Sequence, residues 1–174
     1  LALLVSRLPR LASALQYLAG LIQTVPALAL LALLIPLLGL GQATAVVALF
    51  LYSLLPIVRN TLAGLFSVDP LLREVATSMG MTAAQQTLRI ELPLAMPMIL
   101  AGIRTAAVIC IGTATLAAFI GAGGLGEPII TGLSLNDNQL ILEGAIPAAL
   151  LAIAVEWLFE GLEHRLVPAH LRVR

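Results

Sequence analysis

A chain of 174 residues that is 60% apolar and only 10% charged, with a mean hydropathy of +1.07, is far more apolar than a water-soluble core of this size requires. Its nine basic residues are all arginine and balance nine acids, so charge gives no reason to expect nucleic acid or an acidic macromolecule as partner. The single cysteine, Cys110, lies in an apolar stretch, which excludes an intrachain disulfide framework and a cysteine metal cluster and leaves it as a small buried filler.

Residues 1–5 are too few to span a bilayer and read as the last turns of an apolar helix, so an N-terminal part of the protein is expected to be missing. Four stretches then approach the roughly 20 apolar residues a membrane-spanning helix needs. They are 11–38, interrupted by Pro26 and Pro36; 43–58, with Pro56 near its end; 94–120; and 140–162, where Trp157 suits an interface level. Strands of a barrel are a poor alternative, because the apolar runs are too long and lack inside-outside alternation. Arginine marks the cytoplasmic side. Arg7 and Arg10 precede the first stretch, Arg59, Arg73 and Arg89 surround the second connection, and Arg165, Arg172 and Arg174 lie in the tail. The connections at 39–44 and 121–139 hold no arginine, and the latter carries Glu127 and Asp137. Both are expected outside, with the loop 67–92 and the C-terminus inside.

That loop carries its own helix signals. Asp69 before Pro70 is an N-cap followed by proline at the first helical position, and Glu74 lies early enough to favour the positive helix end. Gly80 supplies a stop. Thr82 with Gln85 three residues later forms a capping-box pattern for a second short helix, before Leu92 and Pro93 lead into the third span. Two short helices projecting into the cytoplasm are expected.

Glu74, Val75, Ala76, Gly80, Ile90, Glu91, Leu92 and Pro93, at these spacings, resemble the EAA loop of ABC importer permeases, with Val75 where alanine is commoner. The resemblance implies that the loop is a coupling helix docked on an ATP-hydrolysing subunit, with Glu74, Ala76, Gly80, Ile90, Leu92 and Pro93 as the coupling residues. Beside it stands a physical reason for the residue types: small Ala76 lets the helix approach a partner, Gly80 permits a sharp turn, and Glu74 offers a charge to the partner or to a nearby arginine. The stretches Gln23-Thr24-Val25-Pro26-Ala27-Leu28-Ala29, Leu55-Pro56-Ile57-Val58-Arg59-Asn60-Thr61 and Gly121-Ala122-Gly123-Gly124-Leu125-Gly126 narrow the resemblance to permeases for glycine betaine, choline and carnitine. The last of the three is shared with methionine permeases.

The implied fold is all-α: a polytopic transmembrane bundle of the type I ABC importer permease kind, one domain over 1–174, with about four complete spans and the end of a preceding one. The implied setting is the bacterial cytoplasmic membrane. The implied partners are ATPase subunits in the cytoplasm, a second permease subunit, the same or homologous, a periplasmic or lipid-anchored binding protein, and membrane lipids. The chain has no lysine, so a GxxxxGK[ST] nucleotide site is impossible, and ATP is expected to be used by a partner with no cofactor bound here. A methionine permease is the rival within the class, and a channel or structural membrane subunit the rival outside it.

Polar residues inside spans are costly and point to pathways or helix contacts. Gln23, Tyr52, Asn60, Arg104, Thr113 and Thr115 are the candidates, although Ser and Thr commonly bond their own helix and Arg104 could snorkel. Gly121, Gly123 and Gly126 match GxGxxG but lack the strand and helix context of a dinucleotide site. Gly123 and Gly124 are better read as an outward turn at a gate. Glu143 and Glu156 suit the interface. His164 and His170 have no metal-ligand arrangement, and no Ser, His and Asp cluster proposes catalysis.

Overall fold

The computed structural model describes residues 9–166; residues 1–5, Arg7, His170, Arg172, Arg174 and the side chain of Arg10 lie outside what is described. The elements in order are α1 (Pro9–Thr24), α2 (Ala27–Leu38), α3 (Gln42–Phe66), α4 (Pro70–Ser78), α5 (Ala83–Gln86), a π turn (Thr87–Glu91), α6 (Leu92–Leu116), a 3-10 turn (Ala117–Ile120), α7 (Gly126–Leu135) and α8 (Asn138–Leu166). No strand occurs among the described residues. Three helical runs, Gln42–Phe66, Ala83–Ile120 and Asn138–Arg165, are long and apolar enough to cross a bilayer.

The first stretch differs from the single run read in the sequence. Leu11–Thr24 and Ala27–Leu38 meet at 97°, so they make a fourth span only as a bent unit. Pro26 forces the break, because it cannot continue the hydrogen-bond ladder of α1 and disfavours helical geometry at Val25.

The second stretch does not end near Pro56. It continues helically to Phe66. Proline removes the N–H that the Tyr52 carbonyl would accept, but Gln23 Nε2 supplies a donor to that oxygen at 3.1 Å. With the orphaned acceptor satisfied, the helix runs on through polar Arg59, Asn60 and Thr61, which interrupt the apolar pattern without interrupting the backbone. The third stretch likewise starts earlier than Leu94. The second short helix expected in the loop is not separate from it, and 83–120 is one helical run. The two join through the π turn, where the Leu92 N–H reaches back five residues to the Thr87 carbonyl. Finally, the 121–139 connection contains a ten-residue helix, α7, which apolar periodicity did not reveal.

Helix α3 is the centre of the assembly and packs on α1, α2 and α6. One core unites Leu30 and Leu31 of α2, Ala45, Ala48 and Tyr52 of α3, and Ala117 and Ile120 after α6; a second joins Ala12, Val58 and Leu62. Gly102 lets α6 approach α3 closely, since a Cβ there would lie 2.7 Å from Asn60 Cβ and 2.8 Å from the Pro56 carbonyl oxygen. Helix α8 packs on α6 and α7 yet leaves Leu142, Ile146, Leu150, Ile153 and Trp157 exposed, an apolar surface for lipid or another subunit.

Candidate functional site

The loop between α3 and α6 is built by its caps. Asp69 Oδ1 accepts from the Leu71 N–H at 2.9 Å and starts α4 ahead of Pro70. At the other end Gly80 adopts φ +75°, with the Gly80 N–H on the Thr77 carbonyl and the Met81 N–H on the Ala76 carbonyl, a Schellman ending. Thr82 and Gln85 complete the capping box in both directions, at 2.8 and 3.4 Å. Gln86 Nε2 donates to Thr77 Oγ1 and to the Met81 carbonyl at 3.0 and 3.1 Å, tying α5 back onto α4.

Two sides of α4 differ. Leu71, Val75 and Met79, spaced four apart, are 61%, 48% and 76% exposed, which places an apolar stripe on its outer face. Ala76 is buried within the chain, so its small side chain serves internal packing instead of the approach to a partner expected for it. Glu74 is exposed and forms no ion pair among the described residues; the arginine beside it, Arg73, turns the other way. Arg73 Nη2 donates to the Leu65 carbonyl in the last turn of α3 at 2.8 Å. Its Nε stands 2.9 Å from Glu91 Oε1 without aiming its N–H at the oxygen, an ion pair and not a hydrogen bond. Glu91 is only 5% exposed, and Thr87 Oγ1 donates to its other oxygen at 2.9 Å. Gly80 and Pro93 are exposed, while Ile90 and Leu92 are half-buried where the π turn passes into α6. The loop thus joins Glu74, Ala76 and Gly80 on one side to Ile90, Leu92 and Pro93 on the other through Arg73 and Glu91. The sequence signal for that link is two opposite charges, one just before the motif and one inside it, in a chain poor in charge.

The polar residues within the spans fall into separate places. Gln23 and Tyr52 come together across the bend. Gln23 bonds the Tyr52 carbonyl that Pro56 orphans, and the Tyr52 hydroxyl donates to the Val25 carbonyl, which lies at the break between α1 and α2. Tyr52→Phe is expected to cost about 1 kcal/mol by leaving the Val25 carbonyl without its donor. A lowered thermal midpoint in detergent, matched by Gln23→Leu, checks this, and an unchanged midpoint in both variants counts against the clasp.

Asn60 Nδ2 bonds the Pro56 carbonyl and Thr115 Oγ1 the Gly112 carbonyl, both within their own helices. Arg104 Nε lies 3.6 Å from Glu156 Oε1, pairing α6 with α8 across charges that would be costly alone in a bilayer. Thr113 is half-buried. Gly123 and Gly124, both at positive φ, line an open recess of about 500 Å³ with Thr115, Leu49, Cys110 and Leu151. The lining is mainly apolar. No group of three or more potential metal ligands occurs among the described residues.

Residues 1–168 match the sequence profile of the family described as binding-protein-dependent transport system inner membrane component. The Bacillus subtilis choline transport system permease protein OpuBB is 46% identical over 99% of this chain and 79% of its own length. The Listeria monocytogenes carnitine transport permease protein OpuCB is 48% identical over 98% and 78%. The Bacillus subtilis glycine betaine/carnitine/choline transport system permease protein OpuCB is 47% identical over 88% and 70%. Among solved structures, an inward-facing MetNI methionine ABC transporter superposes with a TM-score of 0.80 at 19% identity, over 87% of this chain and 74% of that one, a likeness of fold alone.

Proposed function

The chain belongs to the binding-protein-dependent transport system inner membrane components and is a permease subunit of an ABC importer, not an enzyme, and from this we propose that it forms part of the translocation pathway for small quaternary ammonium osmoprotectants such as glycine betaine, choline or carnitine. The solute reading is supported by the likeness to choline, carnitine and glycine betaine permeases, and the observation that supports coupling to a partner is the short, doubly capped helix α4, which with its C-cap exposes Leu71, Val75 and Met79 in one stripe on a loop between two long apolar helices. An exposed apolar stripe on so short a helix suits docking into a partner groove.

Two permease subunits, the same or homologous, enclose the pathway along their shared face in the cytoplasmic membrane, surrounded by lipid. ATPase subunits in the cytoplasm grip both 67–92 loops through the exposed face of α4, where Leu71, Glu74, Val75 and Met79 lie, with Gly80, Ile90, Leu92 and Pro93 shaping the loop around it, and use ATP. Their closure rotates the bundles, so that the pathway receives solute on the outside and releases it inside. The C-terminus is cytoplasmic. Gln23, Tyr52, Asn60, Arg104 and Thr113 belong to the helices that line or support the pathway, and the turn at Gly123 and Gly124 is its outer gate. A trimethylammonium group is recognised by aromatic faces. Aromatics make up only 4% of the chain, so high-affinity selection rests with a periplasmic or lipid-anchored binding protein.

Reconstitution of the complete importer in vesicles, with radiolabelled glycine betaine, choline, carnitine and methionine and the corresponding binding proteins, tests this. ATP-dependent accumulation of a quaternary ammonium solute is expected. Accumulation of methionine alone, or ATP-independent flux of all four, would overturn it in favour of an amino-acid permease or a channel.

A further inference from the structure

We propose that Arg73 and Glu91 form a positioning strut that makes α3, α4 and the base of α6 move as one body when a partner loads α4, a role that rests on the coupling reading of this loop. The geometry begins with the problem α4 poses. A nine-residue helix is marginal alone. Its outer face is exposed, and three residues connect it to α3. Force applied to Leu71, Val75 and Met79 reaches the spans only if something stiffer than that linker carries it.

Arg73 is placed for this. From the inward side of α4 its guanidinium holds the Leu65 carbonyl at 2.8 Å and the Glu91 carboxylate at 2.9 Å, one at the end of α3 and the other immediately before α6. The planar fork serves both at once, which a lysine ammonium on its flexible stem does less well. Glu91 makes the contact hard to release. A carboxylate that is only 5% exposed and already accepting from Thr87 must keep its cation or face an unpaired buried charge. The π turn at Thr87–Glu91 adds to the fit, because one extra residue in the turn offsets Glu91 from the register it would hold in a regular helix. Of the other close contacts of α4, the Asp69 cap stays within the loop, and the bond from Gln86 reaches the 83–120 run but not α3. Arg73 is the side chain seen to bond outward to both long helices.

The test is made on the complete importer in vesicles, reading solute moved per ATP hydrolysed together with retention of the ATPase on the permease. Arg73→Gln leaves Glu91 buried and unpaired and so carries a folding penalty. The double variant Arg73→Gln with Glu91→Gln removes both charges, isosterically at Glu91 and with a shorter side chain at Arg73, so that no buried charge is left unpaired, and it is the decisive one. In it the ATPase is expected to remain bound and hydrolysing, while solute per ATP falls about tenfold. Wild-type solute per ATP in the double variant overturns the strut and leaves the coupling reading intact. An ATPase that does not bind the wild-type permease through this loop, judged by retention in Val75→Glu, overturns the coupling reading itself.

Discussion

Gly126→Ala is expected to lower the stability of the subunit by about 3 kcal/mol, a fall in thermal midpoint of roughly 6–12 °C for a chain of this size. The first residue of α7 lies directly over the last turn of α6. A Cβ on Gly126 would stand 1.9 Å from the Thr115 carbonyl oxygen and 2.7 Å from its carbon. Both sides of the clash are backbone, so no rotamer change relieves it, and relief requires α7 to lift away from α6. That movement opens the recess lined by Gly123, Gly124 and Thr115. Gly161→Ala is the matched control. Gly161 sits inside α8 with nothing within 4 Å of its added carbon, and alanine there is expected to be neutral or to stabilise by up to about 1 kcal/mol. Equal midpoints for the two variants would mean that the α6 and α7 backbones are not in contact.

The apolar runs and the caps were legible in the sequence because each depends on neighbours within a few positions. Asp69 with Pro70, Gly80, and Thr82 with Gln85 each act across at most three residues, and all three signals correspond to observed ends of α4 and α5. Proline was less informative. Pro26 bends the chain by 97° while Pro36, Pro56, Pro97 and Pro147 lie inside helices that continue past them, and at Pro56 the orphaned Tyr52 carbonyl is met by Gln23, 29 positions away. A partner that distant has no local signature. Helix α7 was hidden for another reason: it begins at Gly126 without a side-chain cap, directly after glycines at positive φ, so its start looks like the turn it follows.

Charge is legible only in part. The sequence marks Arg73 as an indicator of the cytoplasmic side, and offers Glu74 to a partner or to a nearby arginine. In the structure Arg73 reaches 18 positions along the chain to Glu91, and Glu74 is left exposed for whatever approaches α4. Adjacent residues on a helix point about 100° apart, so sequence neighbours are poor candidates for pairing. In an apolar chain the productive question is which buried carboxylate needs a cation. Glu91 is that group among the described residues.

Gly80→Trp is expected to cut ATP-driven uptake by about 5–30-fold while the subunit still inserts and folds, whereas Gly80→Asn stays within about twofold of wild type. Bulk and backbone conformation are separable causes here. Nothing lies within 4 Å of a Cβ on Gly80, so bulk by itself meets open space. The penalty comes from φ +75°, which costs an ordinary L-residue about 1–2 kcal/mol and asparagine much less. Relaxing that strain means unwinding the Schellman ending, which releases the Met81 N–H from Ala76 and lets α4 shift against α5. Arg73 still holds the start of α4 to α3 and α6, so folding is kept while the Gly80 end of α4, with Met79 of the exposed stripe, shifts out of register with a docked partner. A membrane-inserted subunit that hydrolyses through its partner but accumulates little solute is therefore the outcome for tryptophan. Parallel losses in Asn and Trp variants would shift the cause from backbone conformation to the missing small surface at this position, and undiminished uptake in the Trp variant would mean that the turn carries no load.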